Sequence, residues 1–95
     1  MRTGAKRKPQ PKRTVLVVDD SPSIRANLRQ LFLSDGFAVC TEAENGKEAI
    51  EVARTCNPDV IILDLAMPVM NGIEAAPTLR KLFPEVPIIL FTLHS

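Results

Sequence analysis

The chain has 95 residues, 45% of them hydrophobic and 24% charged, with a net charge of +1. This length limits it to one small domain, and the balance of apolar and charged residues excludes a wholly disordered chain. No apolar run approaches the roughly 20 residues of a membrane-spanning helix, and no hydrophobic stretch follows the basic N-terminus as in a secretory signal. We therefore expect a globular domain in the cytoplasm.

The net charge hides an uneven distribution of charged residues along the chain. Residues 1–13 contain six basic residues and no acidic one, whereas all eleven acidic residues lie beyond residue 13. The segment has two prolines and almost no apolar side chains, so we predict that it is disordered. No aromatic side chain for base stacking accompanies these basic residues, so a solvated tail or linker is favoured over direct binding of nucleic acid.

The first regular elements follow this tail. "TVLVV" (14–18) is a continuous apolar, β-branched run, which is typical of a strand buried on both faces. Ser21 and Pro22 then predict the start of a helix, with Ser21 as its N-cap and Pro22 at the first helical position. Apolar residues recur at helical spacing until Asp35-Gly36, which predicts the end of that helix.

The second strand and helix are predicted from "FAVCTEA" (37–43) and the segment after it. Phe37, Val39 and Thr41 alternate with other residues and would share one face, as in a strand at the edge of a sheet. Asn45 with Glu48 three residues later resembles an N-terminal capping pair.

Two more apolar runs, "VIIL" (60–63) and "PIILF" (87–91), predict the third and fourth strands. Between them, Asn71 and Glu74 repeat the capping pattern and begin a third helix. Pro77 lies inside this helical pattern, where a proline costs about 3 kcal/mol in a regular interior. Either the helix kinks at this residue or its regular part begins near it.

Strands that alternate with helices predict a parallel sheet with helices on both faces, and ligands of such sheets bind beyond the carboxyl ends of the strands. Asp19 and Asp20 follow the first strand, Asp64 follows the third and Thr92 follows the fourth. If the first and third strands are neighbours, these carboxylates repel one another unless a cation lies between them. Oxygen ligands of this kind suit Mg²⁺.

Three segments resemble the receiver domain of bacterial two-component response regulators: "VLVVDDSPSIR", "PDVIILDLAMPVMNGIEA" and "PIILFT". The resemblance covers residues 14–95. It implies a flavodoxin-like α/β fold, a three-layer sandwich whose parallel sheet has the strand order 2-1-3-4 over the length present.

The resemblance also implies a role for each matching residue. Asp64 corresponds to the aspartate that accepts a phosphoryl group from a sensor histidine kinase or a phosphotransfer protein. Asp19, Asp20 and Asp64 correspond to the Mg²⁺ site, to which Ala66 contributes its backbone carbonyl. Thr92 corresponds to the hydroxyl that bonds the phosphoryl group. The chain is then a phosphoacceptor module and not an enzyme.

The resemblance stops after the fourth strand, so we expect an incomplete receiver that lacks the last helix, strand and helix, together with the lysine that follows the fifth strand. The fourth strand would then lie at an edge of the sheet, and a homodimer through it is predicted. The alternative is a non-phosphorylatable fragment that binds a kinase as a decoy or has no signalling role.

Other site types are less consistent with the residues. Phosphatases of the haloacid dehalogenase type need a second aspartate two positions after the nucleophile, and Ala66 and Ser21 stand at those places. Cys40 and Cys56 form no CxxC motif and no cluster with histidine. We interpret them as reduced cysteines, with a metal or redox role as the alternative.

Overall fold

The computed structural model describes residues 12–92, in which four strands alternate with three helices. The basic tail predicted for residues 1–13 lies outside this range except for its last two residues, and its disorder stays a prediction. In chain order the elements are β1 (Thr14–Val18), α1 (Pro22–Ser34), β2 (Ala38–Ala43), α2 (Gly46–Cys56), β3 (Val60–Asp64), α3 (Gly72–Leu82) and β4 (Ile88–Phe91).

The four strands form one parallel sheet with the order β2-β1-β3-β4, which confirms the predicted topology. β1 and β3 are the two central strands, and Val18 of β1 lies opposite Leu63 of β3. Because all neighbouring strands run in the same direction, their carboxyl ends meet at one edge of the sheet. Residues that follow β1, β3 and β4 are therefore brought to the same edge.

Apolar side chains cover both faces of the sheet. Val15, Val17 and Ile62 point to the face under α1, where Phe32 and Phe37 pack against them. The opposite face carries a larger cluster under α2 and α3, made of Leu16, Val18, Ala43, Ala49, Ala53, Ile61, Leu63, Ala75 and Leu79. Successive residues of β1 alternate between these two clusters, so the prediction of a strand buried on both faces is confirmed.

Polar side chains cap all three helices, as predicted. The Ser21 hydroxyl accepts a hydrogen bond from the backbone N–H of Ile24, and Pro22 begins α1. At the start of α3, the side chains of Asn71 and Glu74 each accept from the other's backbone N–H at 2.9 Å. Each cap satisfies backbone donors that have no partner within the helix.

The predicted face of β2 is wrong at one residue. The register with β1 runs from Val39, opposite Val15, to Thr41, opposite Leu16, so Cys40 is the extra residue of a β-bulge. Val39 packs on the α1 side, whereas Thr41 lines a cavity beside α2. A bulge shifts the alternation of side chains by one position, which periodicity along one strand does not reveal.

β4 is less buried than β1 and β3. Ile89 and Leu90 are 50% and 44% exposed, and within residues 12–92 only β3 pairs with this strand. β4 thus lies at an edge of the described sheet and is not covered on both faces. Self-association through this edge stays a prediction. Each helix in this part of the chain is too short or too polar to span a membrane.

Pro77 lies within the continuous helix α3, which runs from Gly72 to Leu82. The alternative that the regular helix begins near Pro77 is therefore wrong. A proline at this position has no N–H to donate to the carbonyl of Ile73, one turn earlier. The capping box at Asn71 and the buried side chain of Leu79 hold the helix together despite this missing bond.

We expect Pro77→Ala to raise the free energy of unfolding by about 1–2 kcal/mol, because alanine restores the donor to the Ile73 carbonyl. Urea denaturation followed by circular dichroism measures this change. Thr78→Ala is the matched control, since it alters helix propensity at the next exposed position without adding a donor, and its effect should be within about 0.5 kcal/mol. A Pro77→Ala protein no more stable than the parent chain contradicts the prediction.

Candidate functional site

Two buried aspartates lie side by side at the carboxyl edge of the sheet. Asp19 directly follows β1 and is 1% exposed, and Asp64 is the last residue of β3 and is 7% exposed. Because Val18 pairs with Leu63, the next residue on each strand is one of these two aspartates. The strand register therefore places both carboxyl groups at the same level of the sheet.

Asp20 completes a cluster of three carboxylates. One carboxylate oxygen from each of Asp19, Asp20 and Asp64 lies within 4.8 Å of the others. Asp20 is exposed, so the cluster opens to solvent on one side and is closed by the sheet on the other. The structure thus brings together the three aspartates that were predicted as metal ligands.

The two oxygens of Asp19 have different surroundings. Its Oδ1 accepts a hydrogen bond from the backbone N–H of Ser21 at 2.8 Å. Its Oδ2 is buried and has no hydrogen-bond partner among the described residues. A buried carboxylate oxygen without a partner costs free energy unless a donor or a cation satisfies it.

The pKa of Asp19 is raised above its ordinary value of 3.8. Burial is the main cause, and the negative charges of Asp64 and Asp20 add to it, while the hydrogen bond from Ser21 acts in the opposite direction. When the three aspartates are ionised, negative charge is therefore concentrated at this site, and Asp19 Oδ2 has no hydrogen-bond partner among the described residues. These properties fit a small divalent cation bound through oxygen, for which Mg²⁺ is well suited.

Ala66 and Thr92 lie at the same edge. The backbone N–H of Ala66 donates a hydrogen bond to Asp64 Oδ1 at 3.1 Å, so the chain turns sharply after β3 and stays beside the carboxylate. Asp64 pairs in register with Phe91 of β4, and Thr92 is the exposed residue that follows. All five residues predicted for the site are thus at the carboxyl ends of β1, β3 and β4.

An ion-pair network supports the turn that carries Asp19. Neither the periodicity nor the motifs of the sequence indicated this network. Arg25 Nη1 donates to the backbone carbonyl of Asp19 at 2.6 Å, and Arg25 Nε donates to Glu42 of β2 at 3.1 Å. Arg29, one helical turn later, also bonds Glu42. The only sequence signal is a pair of arginines four residues apart on α1, which solvent-exposed helices also contain.

The loop after β3 is shaped by backbone constraints. Val69 has a φ of +69°, and the N–H of Met70 bonds the carbonyl of Pro68 at 2.7 Å, which closes a tight three-residue turn. Gly72 then packs against the backbone of Asp64, and a Cβ atom there would clash with the Asp64 carbonyl. A left-handed valine is strained, and such strain is concentrated at functional sites.

The chain belongs to the response regulator receiver domain family, whose model matches residues 15–95. It is 40% identical over 76 residues to the chemotaxis protein CheY of Thermotoga maritima, with coverage of 80% of this chain and 63% of that protein. It is 47% identical over 79 residues to a protein-glutamate methylesterase/protein-glutamine glutaminase of Pyrococcus horikoshii. This match covers 82% of this chain and 21% of that protein. The chain therefore spans between a fifth and two thirds of the length of these relatives.

Solved structures agree with this family assignment. The crystal structure of a CheX–CheY–BeF₃–Mg²⁺ complex from Borrelia burgdorferi matches with a TM-score of 0.80 and 32% identity. The match covers 84% of this chain and 61% of the solved one. The predicted resemblance to receiver domains and the flavodoxin-like fold are both confirmed.

The raised pKa of Asp19 predicts how stability depends on pH in the absence of divalent cations. The folded state binds the Asp19 proton more tightly than the unfolded state does, so ionisation of Asp19 lowers the free energy of unfolding as the pH rises above 3.8. We expect Asp19→Asn, which cannot ionise, to melt several degrees above the parent chain at pH 7, with the difference shrinking at pH 4.

Thermal melts in EDTA at a series of pH values measure this difference. Asp20→Asn is the matched control, because the exposed neighbour should change the melting temperature much less. A parent chain that gains stability relative to Asp19→Asn as the pH rises from 4 to 7 contradicts the assignment of a raised pKa.

Proposed function

We propose that this chain is a phosphoacceptor module of a two-component phosphorelay, in which Asp64 accepts a phosphoryl group. The observation that carries the proposal is the cluster of three aspartates at the carboxyl edge of the sheet, with one buried oxygen of Asp19 left unsatisfied. The proposed donor is a phosphohistidine on a cytoplasmic sensor histidine kinase or phosphotransfer protein. The module itself is proposed to be a substrate and not an enzyme.

The surroundings of Asp64 support its proposed role as the nucleophile. Asp64 ends β3, a central strand that pairs with both β1 and β4, and itself pairs with Phe91 of β4. Its Oδ1 is fixed by the Ala66 N–H, which orients the carboxylate. A carboxylate oxygen of Asp64 would attack phosphorus, the bond between phosphorus and the donor imidazole nitrogen would break, and the imidazole would leave with that electron pair.

The acidic cluster is proposed to hold Mg²⁺. Asp19, Asp20 and Asp64 would supply carboxylate oxygens, and Ala66 would supply its backbone carbonyl. When bound, the ion neutralises the negative charge that gathers as a phosphoryl group meets these carboxylates. The Borrelia complex, which contains BeF₃ and Mg²⁺ with a CheY protein, supports this class of site in the family.

Thr92 is proposed to respond to the phosphoryl group. Thr92 directly follows Phe91, the strand partner of Asp64, and this nearness to Asp64 supports the proposal. A hydroxyl can donate a hydrogen bond to such an oxygen without adding charge. Removal of the hydroxyl would leave the nucleophile in place but weaken the response to phosphorylation.

The alternative function is a kinase-binding decoy that accepts no phosphoryl group. The grouping of Asp19, Asp20 and Asp64 at one edge favours the phosphoacceptor. The methylesterase activity in the name of the Pyrococcus relative belongs to a protein of which this chain matches only 21%. It is therefore no basis for assigning that activity here.

We expect the purified chain to be labelled at Asp64 by acetyl phosphate with Mg²⁺, and Asp64→Asn to reduce labelling at least 100-fold because it removes the nucleophile. Intact-mass spectrometry and peptide mapping measure the label. Asp35→Asn, which changes an exposed aspartate at the end of α1, is the matched control and should label like the parent chain. A folded parent chain that acquires no label favours the decoy.

We expect Mg²⁺ to raise the melting temperature of the parent chain through the acidic cluster. At a free concentration about tenfold above the Kd, binding to the folded state adds about 1.4 kcal/mol to the free energy of unfolding. Asp20→Asn should lose most of this gain, while Asp35→Asn should keep it. Equal increases in the melting temperature of all three proteins at matched ionic strength would indicate that Mg²⁺ binds outside the acidic cluster.

A further inference from the structure

Cys40 and Cys56 bring their sulfur atoms into direct contact. Their Sγ atoms are 2.7 Å apart, although the residues are 16 positions apart along the chain. Both thiols are free and half-buried. A covalent S–S bond is about 2.05 Å long, so less than about 1 Å of closure separates this contact from a bond.

Cys40 faces α2 because it follows Val39, which packs on the α1 side, and successive residues of a strand point to opposite faces of the sheet. Cys40 has no partner in the register between β1 and β2, and its side chain packs on the cluster under α2 and α3. Cys56 is the last residue of α2 and faces it across this packing layer. The alternation of side chains along β2 therefore directs one thiol toward the other.

Small molecules can reach this thiol pair from solvent. A surface cavity of about 350 Å³ lies beside it, lined by Cys40, Thr41, Glu51, Val52, Thr55 and Cys56. Cys56 ends α2 four residues before β3 begins, so the pair lies towards the amino edge of the sheet. The acidic cluster lies at the opposite, carboxyl edge.

We propose that Cys40 and Cys56 form a redox-active thiol pair that is converted to an intramolecular disulfide by a low-molecular-weight disulfide such as oxidised glutathione. The Cys40 thiolate attacks one sulfur of the oxidant, forms a mixed disulfide and expels one small thiolate. The Cys56 sulfur then attacks Cys40 Sγ, which forms the internal bond and expels the second small thiol. The protein loses two electrons and two protons, and the oxidant becomes two thiols.

The order of the two steps follows from the surroundings of Cys56. Burial, followed by the contact with Cys40, raises the pKa of Cys56 to about 12. Cys56 is therefore a poor first nucleophile, and we assign it the second step, in which it loses its proton to solvent and attacks the mixed disulfide on Cys40. The resulting bond would tie β2, which lies at an edge of the described sheet, to the end of α2 and would close a loop between them.

The test uses the purified chain in glutathione buffers of graded ratio, with acid quenching, maleimide labelling of free thiols and intact-mass measurement. We expect the folded chain to stay a monomer and to lose the mass of two hydrogen atoms as the disulfide forms. We expect this disulfide to form at a glutathione ratio at least 100-fold more reducing than the ratio at which it forms in the chain unfolded in urea. We also expect the oxidised form to melt several degrees higher. The chain unfolded in urea is the control, because the fold no longer holds the two cysteines close together in it.

The two serine variants test the roles of the cysteines. Cys56→Ser should accumulate a mixed disulfide between Cys40 and glutathione, because the resolving thiol is absent. Cys40→Ser should accumulate much less. The proposal is overturned if both thiols stay free in the folded chain at glutathione ratios that oxidise the chain unfolded in urea. It is also overturned if the disulfide forms only between two molecules. Labelling of Asp64 is a separate measurement, so either proposal can fail alone.

Discussion

The parallel pairing of β1 with β3 is the constraint on which the candidate site depends. Val18 opposite Leu63 places Asp19 and Asp64 at the same level on adjacent strands, where their charges repel. Burial of the β1 and β3 side chains on both faces of the sheet stabilises the pairing that forces these carboxylates together. The hydrophobic core thus offsets the cost of an acidic cluster that favours a cation.

The surroundings of the cluster hold its parts in place. Arg25 links the turn after β1 to Glu42, so the carbonyl of Asp19 is fixed from the helix side. On the other side, the turn at Val69 and the close approach of Gly72 fold the loop back on Asp64. The Asp19 carbonyl and the Asp64 carboxylate are therefore each held by neighbouring groups, and a site held in advance loses less entropy when it binds a ligand.

β2 contributes side chains near both the carboxyl edge and the amino edge of the sheet. Glu42 bonds α1 and supports the acidic edge, while Cys40 contacts the end of α2 near the opposite edge. The bulge at Cys40 separates these two roles, because it changes which face the following residues use. One edge strand therefore contributes to the proposed phosphoryl chemistry and to the proposed thiol chemistry through side chains on opposite faces.

Much of the fold was predictable because its information is local. Apolar runs and capping pairs such as Asn71 with Glu74 depend on neighbours within a few residues, and the alternation of strands and helices restricts the topology. Asp19, Asp20, Asp64 and Thr92 could be selected as site residues because the carboxyl ends of parallel strands must meet at one edge.

The sequence by itself thus determined the order of elements, the helix starts and the set of acidic residues at the ends of the strands. Only the tertiary structure decided the contacts that join distant segments: the bond from Arg25 to the Asp19 carbonyl, the unsatisfied Asp19 oxygen, and the meeting of Cys40 with Cys56. These depend on strand register, on one bulge and on packing across the sheet, and none of these leaves a periodic trace along the chain.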